Sequence, residues 1–279
     1  MKANSNHSDT RQILRNFAIS GIYRLQEILG IRPRGICLLS GCPRSGTSAV
    51  RNWLQSQKQI ASIFEDRILI SAHRFLNEVE RFRTLHTNRH ILIGMIRRLV
   101  YGYCAETKYI WRKQLVIKEP LEPIALPDRG YSEFLGNIKA IFPEINFIFM
   151  VRDPIETVWS MTQRKWGYSL TKPALRNYSV EESVLIWKDC ARVIKEYAGQ
   201  PNVYVCCFER LIKDPKSESH RIFDFLGIKG KKIFQPQPTS KIAFSNAEKD
   251  FILTETKPQH QLLLSICEGE QRRILAMLP

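Results

Sequence analysis

Residues 41–48 read Gly-Cys-Pro-Arg-Ser-Gly-Thr-Ser, the Gly-x4-Gly spacing of a phosphate loop without its usual lysine. In a nucleotide triphosphatase, Lys follows the second glycine and reaches the outer phosphates, and the next hydroxyl holds Mg²⁺. Here Thr47 and Ser48 follow Gly46, and the cation, Arg44, lies inside the loop. Backbone N–H groups of a loop that opens a helix form an anion site, and glycines let that backbone come close to the ligand. The residues therefore point to a different anion and different chemistry. An ordinary strand-to-helix turn, capped by Ser45, Thr47 or Ser48, is the structural alternative.

A second constellation is Val151-Arg152-Asp153-Pro154 with Ser160 and Arg164. If a helix starts at Pro154, where proline sacrifices no hydrogen bond, Ser160 and Arg164 are four apart and share one face. Arg152 at a strand end can join them around a second phosphate. A solvated basic helix accounts for the same residues, with Arg164 and Lys165 as a surface pair.

The elements that must position these groups are legible as short apolar runs at Ile36–Ser40, Leu115–Lys118, Phe147–Val151 and Val203–Phe208, each followed by a helical pattern. Continuous apolar strands mark a parallel sheet covered by helices on both faces. The predicted fold is α/β: a phosphate-loop-like three-layer sandwich whose ligand loops sit at strand C-termini. Helices are expected around Ala49–Gln57, from Pro154, and from Pro215 to a stop at Gly227. Without a linker or repeat, the 279 residues read as one domain: a peripheral N-terminal helix within 1–34, a core over 35–247 and a helical segment over 248–279.

The net charge is +15, which attracts anionic partners, yet there is no run of five cations to suggest a nucleic-acid-binding arm. Seven cysteines without zinc-ligand spacing suggest free thiols in a reducing compartment, and no metal is predicted. No apolar run is long enough to cross a membrane, and the N-terminus lacks a signal-peptide core. Ile13, Leu14, Phe17, Ala18, Ile22, Leu25, Ile28 and Leu29 form one helical stripe. It is read as a packed peripheral helix, with membrane-surface contact as the alternative.

Together the two constellations resemble the cofactor loops of sulfotransferases that use 3′-phosphoadenosine 5′-phosphosulfate (PAPS). A third match runs from Phe208-Glu209-Arg210-Leu211 through Asp214-Pro215 to Phe225-Leu226-Gly227-Ile228. The wording Pro43-Arg44-Ser45-Gly46-Thr47, Ile117-Lys118-Glu119-Pro120, Met150-Val151-Arg152-Asp153 and Ser160-Met161-x-x-Arg164-Lys165 is similar to tyrosylprotein sulfotransferases and related bacterial proteins. The resemblance spans about Gly35 to Ala247. It implies that Arg44, Ser45, Gly46, Thr47 and Ser48 hold the 5′-phosphosulfate, that Arg152, Ser160 and Arg164 hold the 3′-phosphate, and that Phe208 lies near adenine. Ser240-Lys241-Ile242 with Ser245 resembles the loop that closes over the cofactor.

The resemblance also implies a general base at Glu65, twenty-one residues after Arg44. A neutral hydroxyl must lose its proton as it attacks sulfur. Asp66 is the alternative if the register is off by one, and Arg67 either orients the base, meets an acidic acceptor or is Glu65's surface partner. Lys118, at a strand end, is the candidate cation, with Arg44, for the charge that grows on the departing phosphate. His73, His86, His90 and His220 are rival bases, each read first as a surface or packing residue.

Ser62 and Ile117 stand where the Golgi enzymes' bridge would need cysteines, which argues for the cytoplasm, and Ser71 replaces an arginine that could read acidic peptides. The reading is a PAPS-dependent O-sulfotransferase acting on a hydroxyl acceptor: a glycan, another small molecule or a protein tyrosine. Arg74, Arg81, Arg83, Arg97, Arg98, Arg112 and Lys113 would suit an acidic acceptor. The alternatives are a nucleotide or small-molecule kinase on the same loop type and a basic nucleic-acid-binding protein.

Overall fold

The structure, a computed structural model, describes residues 33–81, 89–107, 110, 113–123, 126, 130–166, 176–236 and 242–277. The N-terminal stripe, His86, Arg83, Arg112, Ser240 and Lys241 lie outside these residues. Five parallel strands, β1 (Gly35–Gly41), β2 (Ile60–Ile63), β3 (Gln114–Lys118), β4 (Asn146–Val151) and β5 (Val203–Cys207), form one sheet in the order β2-β3-β1-β4-β5. The chain leaves β1 on one side to build β2 and β3, then crosses to add β4 and β5. That reversal places a ligand crevice at the C-terminal end of β1.

Helices fill the connections: α1 (Thr47–Gln55), α2 (Ile68–Arg81), α3 (Arg89–Thr107), α4 (Tyr131–Ile141), α5 (Pro154–Thr162), α6 (Val180–Tyr197), α7 (Phe208–Lys213), α8 (Pro215–Phe225) and α9 (Asn246–Met277). Alternate residues of each strand enter two separate cores, as strands covered on both faces require. Ile36, Leu38, Phe147, Phe149 and Val205 pack with Leu69, Ile96, Phe134, Val158, Trp187 and Ile252 from α2–α6 and α9. Cys37, Leu39, Ile148, Met150 and Cys206 pack with Val50, Leu54, Leu211, Phe223 and Phe234 on the other face.

The four apolar runs are β1, β3, β4 and β5, shifted by a residue or so. Phe208 differs: it opens α7 rather than ending β5. The edge strand β2 is absent from the sequence reading because Ile60-Ala61-Ser62-Ile63 is too short and mixed to stand out. Pro154 and Pro215 both start helices, with Asp153 and Asp214 as side-chain caps. Among the described residues no helix is long and apolar enough to span a membrane.

Candidate active site

The loop leaves β1 at Gly41, whose φ of 136° suits glycine, and a Cβ there would strike the Met150 carbonyl of the neighbouring strand. It re-enters regular structure at Gly46 (φ 94°), the N-cap of α1. No side chain caps that helix, so its first N–H groups face the loop uncommitted. Arg44 also has positive φ, 70°, which costs free energy in a non-glycine residue. Ser45 is fully buried, and its hydroxyl has no hydrogen-bond partner, whereas Ser48 is exposed on the first turn of α1. An orphaned hydroxyl and free N–H groups around a tight loop fit a bound anion.

Strand register explains which other groups arrive here. β4 pairs Met150 with Gly41 of β1, and β5 pairs Cys207 with Val151 of β4, so Arg152 and Phe208 emerge side by side next to the loop. The Arg152 guanidinium stands 5.1 Å over the Phe208 ring. It donates to the Arg44 carbonyl at 3.2 Å and is held by Glu156 one helical turn on. The Phe208 ring also lies where any Gly46 side chain would go, and it is 8% exposed. The ring is therefore the wall behind the loop.

Arg44 reaches across to α5 and donates from Nε to the Ser160 hydroxyl at 2.9 Å. Burial, followed by the like charges of Arg164 and Arg152, pushes its pKa below the ordinary arginine value, with Glu65 opposing. Three guanidinium groups thus share one small volume. Arg164 belongs to the cluster but not to the helix face expected for it: α5 ends at Thr162, and Arg164 follows a tightened last turn whose N–H bonds Met161.

On the other side, β2 pairs Ile63 with Ile117 of β3, so residues just past these ends become neighbours. Lys118 is 2% exposed, and its ammonium contacts the Glu65 carboxylate while standing 4.8 Å from the Phe64 ring. Arg51 covers Phe64 at 5.2 Å. Asp66 instead accepts from the Tyr103 hydroxyl at 3.0 Å, which separates the two candidate bases by environment. Arg67 pairs with Glu122 at 3.7 Å, not with Glu65.

Residues 38–231 match the description of the sulfotransferase family. The chain belongs to that family. The protein-tyrosine sulfotransferase of Drosophila melanogaster is 23% identical over 207 residues, 71% of this chain and 39% of the fly protein. Protein-tyrosine sulfotransferase A of Caenorhabditis elegans is 23% identical over 219 residues, 76% of this chain and 55% of the worm protein. The chain thus spans about half or less of these relatives' length. A sulfotransferase from Alicyclobacillus acidocaldarius has the same fold, with a TM-score of 0.55 at 14% identity, covering 85% of this chain and 97% of that one.

Several expected site residues of this sulfotransferase-family chain are engaged elsewhere. Ser245 caps α9: its hydroxyl accepts from the Glu248 N–H at 3.3 Å, while the Glu248 carboxylate accepts from the Ser245 N–H at 2.8 Å. The segment still passes the site, because Phe244 packs edge-on against Trp159, next to Ser160, with centroids 4.9 Å apart. His73 is turned between α2 and α4, with Nδ1 3.0 Å from the Asn137 amide and its ring against Phe134; burial lowers its pKa. His220 packs on Phe223. Arg97 donates to the Ile141 carbonyl and covers Phe142, and Lys113 sits at the N-terminal end of β3, opposite the loop.

Sequence reasoning assigned no role to Glu119 and Glu122, which join Glu65 in one carboxylate cluster. It also missed a cavity of about 640 Å³ that begins at Ala49, next to Ser48, and is lined by Trp53, Lys232 and Phe234. Among the described residues no His, Cys, Asp and Glu group could hold a metal ion.

Proposed function

We propose that this chain is a PAPS-dependent O-sulfotransferase that moves a sulfuryl group in line onto an acceptor hydroxyl. The observation that carries the reading is the paired arrangement at the strand ends: an arginine-lined loop beside a buried Lys118 in contact with Glu65. The uncapped α1 N-terminus, with Ser45 to Ser48, suits the 5′-phosphate. Arg152, Ser160 and Arg164 suit the 3′-phosphate, with Arg44 between the two groups. The cavity from Ala49 offers room for the nucleoside. Bound PAPS would supply the electrophilic sulfuryl group and its phosphate leaving group.

Glu65 takes the acceptor hydroxyl's proton on a carboxylate oxygen. Lys118 and Arg44 present fixed cations where negative charge develops, stabilising the transition state more than the ground state. The Phe64 ring, in contact with both Arg51 and Lys118, limits solvent access to the ammonium. Seven free, buried cysteines support a reducing compartment, and we place the protein in the cytoplasm.

The test is transfer from [³⁵S]PAPS to a panel of glycans, small hydroxyl compounds and tyrosine peptides, the last included because two relatives are named for tyrosine sulfation. Glu65→Gln is expected to lose on the order of 10² to 10⁴ in turnover while keeping affinity for adenosine 3′,5′-bisphosphate. Full turnover in that variant would move the base elsewhere.

A further inference from the structure

Glu119 directly follows Lys118, yet it is 1% exposed and cannot touch an acceptor. Its main chain is fixed by β1: the N–H donates to the Leu39 carbonyl at 3.1 Å, and its carbonyl accepts from the Ser40 hydroxyl at 2.6 Å. The side chain turns beneath the segment joining β2 to α2, where its carboxyl accepts the backbone N–H of Arg67. The other oxygen, Oε1, has no hydrogen-bond partner. Arg67 has a φ of 56°, left-handed and costly for a side chain of that size, so its surroundings must hold it there. Glu122 holds the guanidinium from the side, and Glu119 holds the backbone from below.

We infer that Glu119 is a positioning residue, a buried carboxyl that pins the turn at Arg67 and thereby sets where Glu65, two residues earlier, stands against Lys118. This rests on the reading of Glu65 as the base. The groups facing Glu119 are Glu65 and Arg67 from the β2–α2 segment and Glu122 from its own. Burial, with the charges of Glu122 and Glu65 and against that of Arg67, pushes the carboxyl up to about 8. At neutral pH it is mostly the uncharged acid, which accepts the Arg67 amide through its carbonyl oxygen and adds no second negative charge beside the base. Glutamine reproduces that state, and alanine removes the acceptor.

The experiment compares wild type, Glu119→Gln and Glu119→Ala by amide hydrogen exchange across residues 64–68, by titration with adenosine 3′,5′-bisphosphate, and by [³⁵S]PAPS turnover on the best acceptor of the panel. Losing the acceptor should speed exchange at Arg67 by ~10-fold and lower kcat by a similar factor in the alanine variant, with bisphosphate affinity and the KM for PAPS nearly unchanged. The glutamine variant should stay within about threefold of wild type in both exchange and kcat. Wild-type exchange and turnover in Glu119→Ala would overturn the inference, as would a glutamine variant no better than alanine. Faster exchange with full turnover would overturn the positioning role and leave Glu65 standing as base. Failure of the base reading would show separately, as full turnover in Glu65→Gln, and would not alter the exchange result.

Discussion

Glu119 makes the residue-scale logic measurable without substrate. A carboxyl raised from an ordinary value of 4.5 to about 8 binds more protons in the native state than in the unfolded chain between those pH values. Stability must therefore fall as pH rises through that window, with the loss complete above it. Glu119→Gln carries no such proton. In thermal melts its advantage over wild type should grow from pH 4.5 to 8 and then level off; parallel curves for the two proteins would contradict the assignment. That Gly41–Ser48, Arg152 and Lys118 belong at strand ends was readable because glycine spacing and strand-end cations have few other uses. Glu119 was not, because a carboxylate after a strand looks solvated until the segment above it is known. Arg67 had two partners in prospect, Glu65 and an acidic acceptor, and the fold supplied a third, Glu122.

At the element scale, the parallel register does the assembling. Pairing Ile63 with Ile117 delivers Glu65 to Lys118, and pairing Val151 with Cys207 delivers Arg152 to Phe208. The apolar runs that revealed β1, β3, β4 and β5 are continuous because both faces of those strands are buried; β2 is buried as well, but its four residues, Ser62 among them, are too few and too mixed to stand out. Helix ends were less legible. Arg164 lies beyond α5 because the last turn tightens, and Ser245 serves α9 as its cap. Ser245→Ala should then cost ~1 kcal/mol in denaturant unfolding, and Ser245→Asp, an equally good cap, should cost little. An aspartate touching the 3′-phosphate would repel it. Unchanged bisphosphate affinity in Ser245→Asp supports the capping role, and a drop of tenfold or more would return Ser245 to the cofactor site.

For the whole molecule, the net charge of +15 sets a field that favours anionic ligands, and the sheet concentrates part of it at one edge. Arg44, Arg152 and Arg164 repel one another there, a cost that the doubly phosphorylated ligand proposed above would offset. The fold class followed from the sequence because a parallel sheet leaves continuous apolar strands. The proposed two-phosphate site joins residues more than a hundred positions apart, Arg44 and Ser160 among them, which the strand order brings together. The most direct test is a calorimetric titration with adenosine 3′,5′-bisphosphate and, in parallel, with adenosine 5′-monophosphate. The account predicts that the bisphosphate binds at least ~10²-fold tighter, as a second phosphate held by charge-assisted hydrogen bonds should, with most of that advantage lost in Arg152→Ala. Equal affinity for the two nucleotides would contradict it.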